Sequence, residues 1–198
     1  MIDLIIGLTG FSGAGKSTVA SIFAEYGFTV LNCDKLVHEQ VYRDPQVLKA
    51  VAAAFGRDCL QGNALNRAVL RARTLGNPEE TARLNQTVMP YILNHIESFL
   101  SEHSGRRILL DAPLLFESGL HQRCDKVICV VSSQKEALRR IIRRDQLTPE
   151  EARRRLSSQH PAEYYTQRSD YIINNNEGIS ALRKQALEIL NQINDQAL

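Results

Sequence analysis

The stretch Gly10-Phe11-Ser12-Gly13-Ala14-Gly15-Lys16-Ser17 constrains this chain more than any other because of what stands on either side of it. The apolar run Leu4-Ile5-Ile6-Gly7-Leu8 precedes it at strand length. Val19-Ala20-Ser21-Ile22-Phe23-Ala24 follows with the mixed apolar spacing of a helix. A glycine, four residues, then Gly-Lys-Ser between a strand and a helix is a phosphate-binding loop with a mechanism. Gly10, Gly13 and Gly15 let the backbone bend until its N–H groups converge on phosphate oxygens, and the helix behind adds its positive end. The expected cradle runs through Ser12, Gly13, Ala14, Gly15, Lys16, Ser17 and Thr18. Lys16 is expected to reach the β- and γ-phosphates, and the Ser17 hydroxyl to ligate Mg²⁺.

With 198 residues the chain is long enough to bury a proper core as one domain. A formal net charge of +2 points to no particular partner. The four cysteines (Cys33, Cys59, Cys124, Cys129) are scattered, without a Cys-x-x-Cys pair or a Cys/His cluster. Reduced thiols in a cytoplasmic protein fit that spacing better than disulfides or a zinc site. No signal peptide and no membrane-spanning helix are expected.

After the first βα unit, Phe28-Thr29-Val30-Leu31-Asn32 reads as a second strand that delivers Cys33 and Asp34 at its carboxyl end. Open α/β sheets bind ligands at that end, so Asp34 stands where chemistry occurs. Capping the next helix is its competing role. Residues 45–104 look helical almost throughout. Asp44-Pro45 and Asn77-Pro78 supply start signals, and Pro90 is expected to bend or divide the last helix. An insertion of this length suits a substrate-binding lobe. Ile108-Leu109-Leu110-Asp111 then reads as a strand closed by a carboxylate that can help hold Mg²⁺, and this strand should neighbour the first. The run Lys126-Val127-Ile128-Cys129-Val130-Val131 is a buried strand, and Asp170-Tyr171-Ile172-Ile173-Asn174 a short final one.

Seven arginines (Arg139, Arg140, Arg143, Arg144, Arg153, Arg154, Arg155) crowd residues 134–159, around a capping box at Thr148 and Glu151. Three readings stay open from the residues. The arginines form a solvated surface paired with Glu136, Asp145 or Glu150, or a nucleic-acid-binding hairpin, or a lid over nucleotide phosphates.

Together these residues resemble the dephospho-CoA kinase family almost end to end. The opening Gly7-Leu8-Thr9-Gly10 through Thr18 is similar to the family's start, and Asn32-Cys33-Asp34 to its Asp-Ala-Asp. Leu65-Asn66-Arg67 is similar to its Leu-Asp/Asn-Arg element, and Pro113-Leu114-Leu115-Phe116-Glu117 to its most distinctive pentapeptide. Arg140, Arg144-Asp145, Arg155 and Gln159 follow its lid spacing, and Asp170-Tyr171-Ile172-Ile173 with Asn175 its closing strand. Three departures stand out. Asn32 replaces the first aspartate, Met89 replaces the usual histidine before Pro90, and Asn174 replaces an aspartate.

The resemblance implies ATP-dependent phosphorylation of the ribose 3′-hydroxyl of dephospho-CoA. Asp34 would orient that hydroxyl and take its proton, while Lys16 and Arg140 would serve the transferring phosphoryl. Arg144 would support Arg140, Asn175 would line the adenine pocket, and Ser17 and Asp111 would hold Mg²⁺. Asn66, Arg67, Leu114 and Glu117 would join Asp34 around the acceptor.

The implied fold is a three-layer α/β P-loop fold with a parallel five-stranded sheet, strand order 2-3-1-4-5. The nucleotide core would span 1–35, 105–135 and 165–198, with a helical acceptor lobe at 36–104 and a lid at 136–164. A monomer or small homo-oligomer is expected, with neither nucleic acid nor membrane as partner. The competing readings are a P-loop kinase of another small hydroxyl acceptor and a non-catalytic nucleotide-sensing module. A GTPase-type switch lacks its Asn-Lys-x-Asp element here.

Overall fold

The computed structural model describes residues 4–196. The chain divides into two compact units, Met1–Asn32 with Gly105–Leu198, and Cys33–Ser104. The first carries a parallel sheet built from β1 (Leu4–Thr9), β2 (Thr29–Asn32), β5 (Arg107–Asp111), β6 (Lys126–Val131) and β7 (Tyr171–Asn174). Its order is β2-β5-β1-β6-β7, the order expected from the sequence when these five strands are counted along the chain. β5 and β6 are buried at every position after their first residue, as a sheet covered on both faces requires. By strand alternation Gly7 faces away from Ile6 and Leu8. A Cβ there would meet the side chains of Leu115 and Cys124, so the connection after β5 packs directly onto bare backbone.

Helix α1 (Lys16–Glu25) buries Val19, Ala20, Ile22 and Phe23, and α9 (Ile179–Gln196) buries Leu182, Ala186, Ile189, Leu190 and Ile193; the two helices contact each other. Register places the strand ends that matter side by side. Asp111 is level with Leu8 on one neighbour and with Asn32 on the other. The loop after β1 and the chain after β2 therefore leave one edge of the sheet, the carboxyl edge.

The second unit holds α2 (Cys33–Glu39), α3 (Pro45–Phe55), β3 (Leu60–Gln61), β4 (Ala64–Leu65), α4 (Arg67–Thr74) and α5 (Pro78–Glu102). It has its own core, with Val41, Val47, Val51, Phe55, Cys59, Leu65, Leu70 and Val88 all buried. Asp44 caps α3 by accepting from the Gln46 N–H at 2.8 Å, and its other oxygen lies 3.1 Å from His95 Nε2 on α5. Asn77 caps α5 in the same manner, through the Glu80 N–H.

Two details depart from the helical reading of this segment. β3 and β4 form a two-residue antiparallel hairpin about Gly62, too short for strand alternation to show. Pro90 does not divide α5, which runs unbroken for 25 residues. One proline removes a single intrahelical bond, and the helix is held by its cap and by burial of Val88 and Ile96.

Candidate active site

The loop between β1 and α1 takes its shape from three glycines in the left-handed region, with φ of 135° at Gly10, 80° at Gly13 and 110° at Gly15. Space forbids a side chain at each as well. A Cβ on Gly10 would strike the Val130 carbonyl, one on Gly13 would lie 2.6 Å from the Ala137 carbonyl, and one on Gly15 would strike the Asn175 amide. Gly15 also occupies the N-cap of α1 and brings no side chain to cap its first turn. The helix start is left open to an anion.

The loop is fastened from behind. Asn175, buried to 6% exposure, donates from Nδ2 to the Ala14 carbonyl at 2.7 Å. Arg140 donates from Nη1 to the Gly13 and Ala14 carbonyls at 3.2 and 3.4 Å, and from Nη2 to the Asn175 carbonyl at 2.9 Å. Within one trans peptide the C=O and the next N–H point in opposite directions. Pinning the Ala14 carbonyl backward therefore turns the Gly15 N–H forward into the cradle.

Arg140 is thus engaged with the loop's own carbonyls. Its helix α6 (Gln134–Asp145) buries Ala137 and Ile141 against Gly13. Asn175 points its side chain at the loop and is not among the residues lining the cavity described below.

Arg139, Arg144, Arg153 and Arg155 pair with the acids that the surface reading named. Arg144 forms a two-pronged bridge to Asp145 at 2.7 and 2.8 Å, and Arg155 of α7 (Pro149–Ser157) reaches the same carboxylate at 2.6 Å. Bonding from Arg144 first, then the charge of Arg155, holds the Asp145 carboxyl below its ordinary value. Arg139 pairs with Glu136, and Arg153 with Glu150. The capping box at Thr148 and Glu151 is formed as the sequence indicates.

On the loop's working side, Lys16 Nζ donates to the Gly10 carbonyl at 2.6 Å. The Ser12 N–H donates to Gln159 Oε1 at 2.8 Å. Ser17 is exposed. At the strand end, Asp111 is buried to 6% exposure and its Oδ2 accepts from Asn32 Nδ2 at 3.0 Å. Here the departure from Asp-Ala-Asp has a local consequence: a neutral donor, not a second carboxylate, faces Asp111. Among the described residues no three His, Cys, Asp or Glu side chains form a metal cluster. A hydroxyl and a carboxylate are hard oxygen donors of the kind Mg²⁺ takes in small number, with phosphate and water completing its shell.

Between α1 and the start of α9 lies a cavity of about 480 Å³, lined by Ser17, Thr18, Ser21, Ile22, Ile179 and Ser180 among others. Its size suits a nucleoside, and it opens beside the last residues of the loop. The sequence reading missed the α9 side of it; the one available signal was Gly178, a left-handed glycine directly before α9.

The pentapeptide after β5 divides its labour. Leu115 is fully buried against Gly7, and Phe116 sits edge-on to Tyr164 at 6.2 Å. Glu117 lies 3.8 Å from His160, which stacks at 3.9 Å on Tyr164 of α8 (Ala162–Thr166). Burial, with Glu117 nearby, pushes the Tyr165 phenol up to about 12. Leu114 is 57% exposed.

Within the second unit, Asp34 lies inside the first turn of α2, not at its cap. His38 follows one turn on, and its Nε2 lies 3.3 Å from Nη2 of Arg67, the first residue of α4. Asn66 caps α4 by accepting from the Val69 N–H at 3.3 Å. Burial raises the Tyr42 phenol, while Arg67 lowers it and Asp34 raises it. His38 and Tyr42 were not singled out from the sequence. Their spacing of four and eight from Asp34 was the available signal.

The sequence matches the dephospho-CoA kinase family model over residues 4–181. It is 37% identical over 190 residues to a dephospho-CoA kinase of Rhodopseudomonas palustris, covering 94% of each chain. It is 38% identical over 195 residues to that of Geobacillus kaustophilus, covering 96% of this chain and 97% of the relative. A solved structure from Thermus thermophilus superimposes with a TM-score of 0.84 at 29% identity, over 97% of this chain and 98% of that one. The dephospho-CoA kinase from Campylobacter jejuni shares the fold, with a TM-score of 0.72 at 24% identity over the whole of both chains.

Proposed function

The chain belongs to the dephospho-CoA kinase family, and we propose that its loop and strand ends carry out the transfer of the γ-phosphoryl of ATP to the ribose 3′-hydroxyl of dephospho-CoA. The observation that carries the reading is the fastened phosphate loop, with the Ala14 carbonyl held by Asn175 and the lysine folded onto Gly10. Positioning and electrostatics dominate phosphoryl transfer, because the transition state is loose and its charge resides on the transferred oxygens.

Lys16 and the loop amides hold the triphosphate, and the cavity at the start of α9 takes the nucleoside. Ser17 and Asp111 are the oxygen donors for Mg²⁺, which when bound neutralises charge on the β- and γ-phosphates. Asp34 follows the end of β2 by two residues and takes the proton of the acceptor hydroxyl as its oxygen bonds to phosphorus. Arg67, with His38, supplies positive and polar groups for an acceptor that itself carries phosphate. Arg140 and Asn175 act through the loop they fasten. Arg144 keeps Asp145 in place, Glu117 and Leu114 border the turn after β5, and Asn66 presents Arg67.

The reading includes a cytoplasmic protein, a monomer or small homo-oligomer, with neither nucleic acid nor membrane as partner. No described helix is long and apolar enough to cross a membrane. The deciding experiment is ADP release from ATP with dephospho-CoA, set against a panel of nucleosides and hydroxy acids. Turnover is expected with dephospho-CoA alone. Turnover only with another hydroxyl acceptor overturns the acceptor assignment, and ATP binding without any transfer favours a sensing module.

A further inference from the structure

Two observations fix which way a nucleotide lies along the loop. Lys16 folds back to the Gly10 carbonyl at 2.6 Å, and a P-loop lysine serves the β- and γ-phosphates. The nucleoside-sized cavity lies at the opposite end, beside Ser17 and Thr18. The terminal phosphate therefore belongs at the end of the loop that holds Gly10 and Ser12.

The Ser12 N–H at that end is already engaged, by Gln159 Oε1 at 2.8 Å. An N–H bonds only to an acceptor, so the carboxamide must present its oxygen to the loop. The nitrogen on the same carbon then brings two donors beside the loop. Among the described residues no hydrogen bond engages that nitrogen. The backbone that carries it is held on both sides. The Gln159 N–H closes the last turn of α7 on the Leu156 carbonyl at 3.1 Å, and neighbouring His160 is stacked on Tyr164.

We propose that Gln159 is a further catalytic residue: Ser12 holds its carbonyl oxygen while its NH₂ group donates to the oxygens of the γ-phosphoryl. This rests on the reading of the chain as an ATP-dependent kinase. In the transfer, the bond from phosphorus to the ADP oxygen breaks, the bond to the acceptor oxygen forms, and the acceptor proton passes to Asp34. Gln159 exchanges no proton. It adds neutral donors where negative charge spreads over the transferred oxygens, and holding its carbonyl by a backbone amide removes the need to reorganise at that moment. The rival arrangement is a latch, in which the carboxamide occupies an amide that ATP needs and must leave.

The test compares wild type with Gln159→Ala and Gln159→Glu, using calorimetric titration of ATP and of ADP together with steady-state turnover. Gln159→Ala is expected to lower kcat about tenfold or more with the KM for dephospho-CoA unchanged. Gln159→Glu keeps an oxygen for the Ser12 N–H but sets a carboxylate against the γ-phosphate. It is expected to weaken ATP about tenfold while ADP affinity stays as in wild type. Tighter ATP binding by Gln159→Ala at unchanged kcat overturns the proposal in favour of a latch. An unchanged ratio of ATP to ADP affinity in both variants overturns it in favour of a structural strut. Failure of the wild type to bind ATP at all would instead overturn the kinase reading on which the proposal stands.

Discussion

Asn175 donates its side-chain amide to the Ala14 carbonyl at 2.7 Å across 161 residues of sequence, the shorter of two bonds, the other from Arg140, that set the face the phosphate loop shows to its ligand. Its own carbonyl is in turn held by Arg140, so loop, last strand and α6 close into one network. Replacing Asn175 by Ala leaves a buried carbonyl short of its donor, a loss of about 1–3 kcal/mol. The expected result is a lower melting temperature and an ATP KM raised about tenfold or more, since the loop amides lose their fixed direction. Thermal melts and ATP titration of turnover check it; an unaltered KM would remove the clamp from the binding argument.

Lys16→Ala and Asp34→Asn should separate charge stabilisation from proton transfer. Asp34→Asn is expected to keep ATP affinity while losing about 10²–10⁴ in kcat, the range for a positioned base. Lys16→Ala is expected to lose ATP affinity and rate together. Nucleotide titration beside single-turnover rates distinguishes them, and near-normal turnover in Asp34→Asn takes that residue out of the base role.

Asn32→Asp restores the family's usual residue and sets a second carboxylate 3.0 Å from Asp111 Oδ2. Two carboxylates at that distance raise the folded-state pKa of one of them above its unfolded value. The sign follows: the variant matches wild type in stability at low pH and loses stability as pH rises through that raised pKa. Melting curves from pH 4 to 8 should show the gap widening upward, and Mg²⁺ should narrow it. A constant gap would mean the two groups do not interact.

Asp145 predicts a transition of the opposite sign. Its carboxyl is held low by Arg144 and then Arg155, so its contribution is complete above the unfolded aspartate value of about 3.9 and is lost as pH falls through the lower folded value. Protection of the Gln146, Leu147 and Thr148 amides relative to their intrinsic exchange rates, where α6 hands over to α7, should hold steady from neutral pH and fall only below about pH 4. In Asp145→Asn that step should vanish; its survival would assign the acid sensitivity elsewhere.

Much of this was legible in the amino-acid order, and for a shared reason: the information lies within a few residues of where it acts. Three glycines with lysine and serine dictate a loop; Asp44, Asn77 and Thr148 announce helix starts; arginines three or four residues from an acid on a helix meet that acid. Apolar runs closed by Asp111 and Asn32 dictated strands of a covered parallel sheet, while its full order came with the family resemblance. Sequence alone therefore determined the phosphate loop, the five-stranded sheet and the family. Only the tertiary structure decided what Arg140, Asn175 and Gln159 reach for. All three stand in segments that resemble the family's lid and closing strand, but a side chain's target depends on which backbone is brought within hydrogen-bond range of it. Here that backbone is the loop, more than a hundred residues away along the chain. The same limit hid His38, whose approach to Arg67 brings together residues 29 apart along the chain, a matter that no local spacing records.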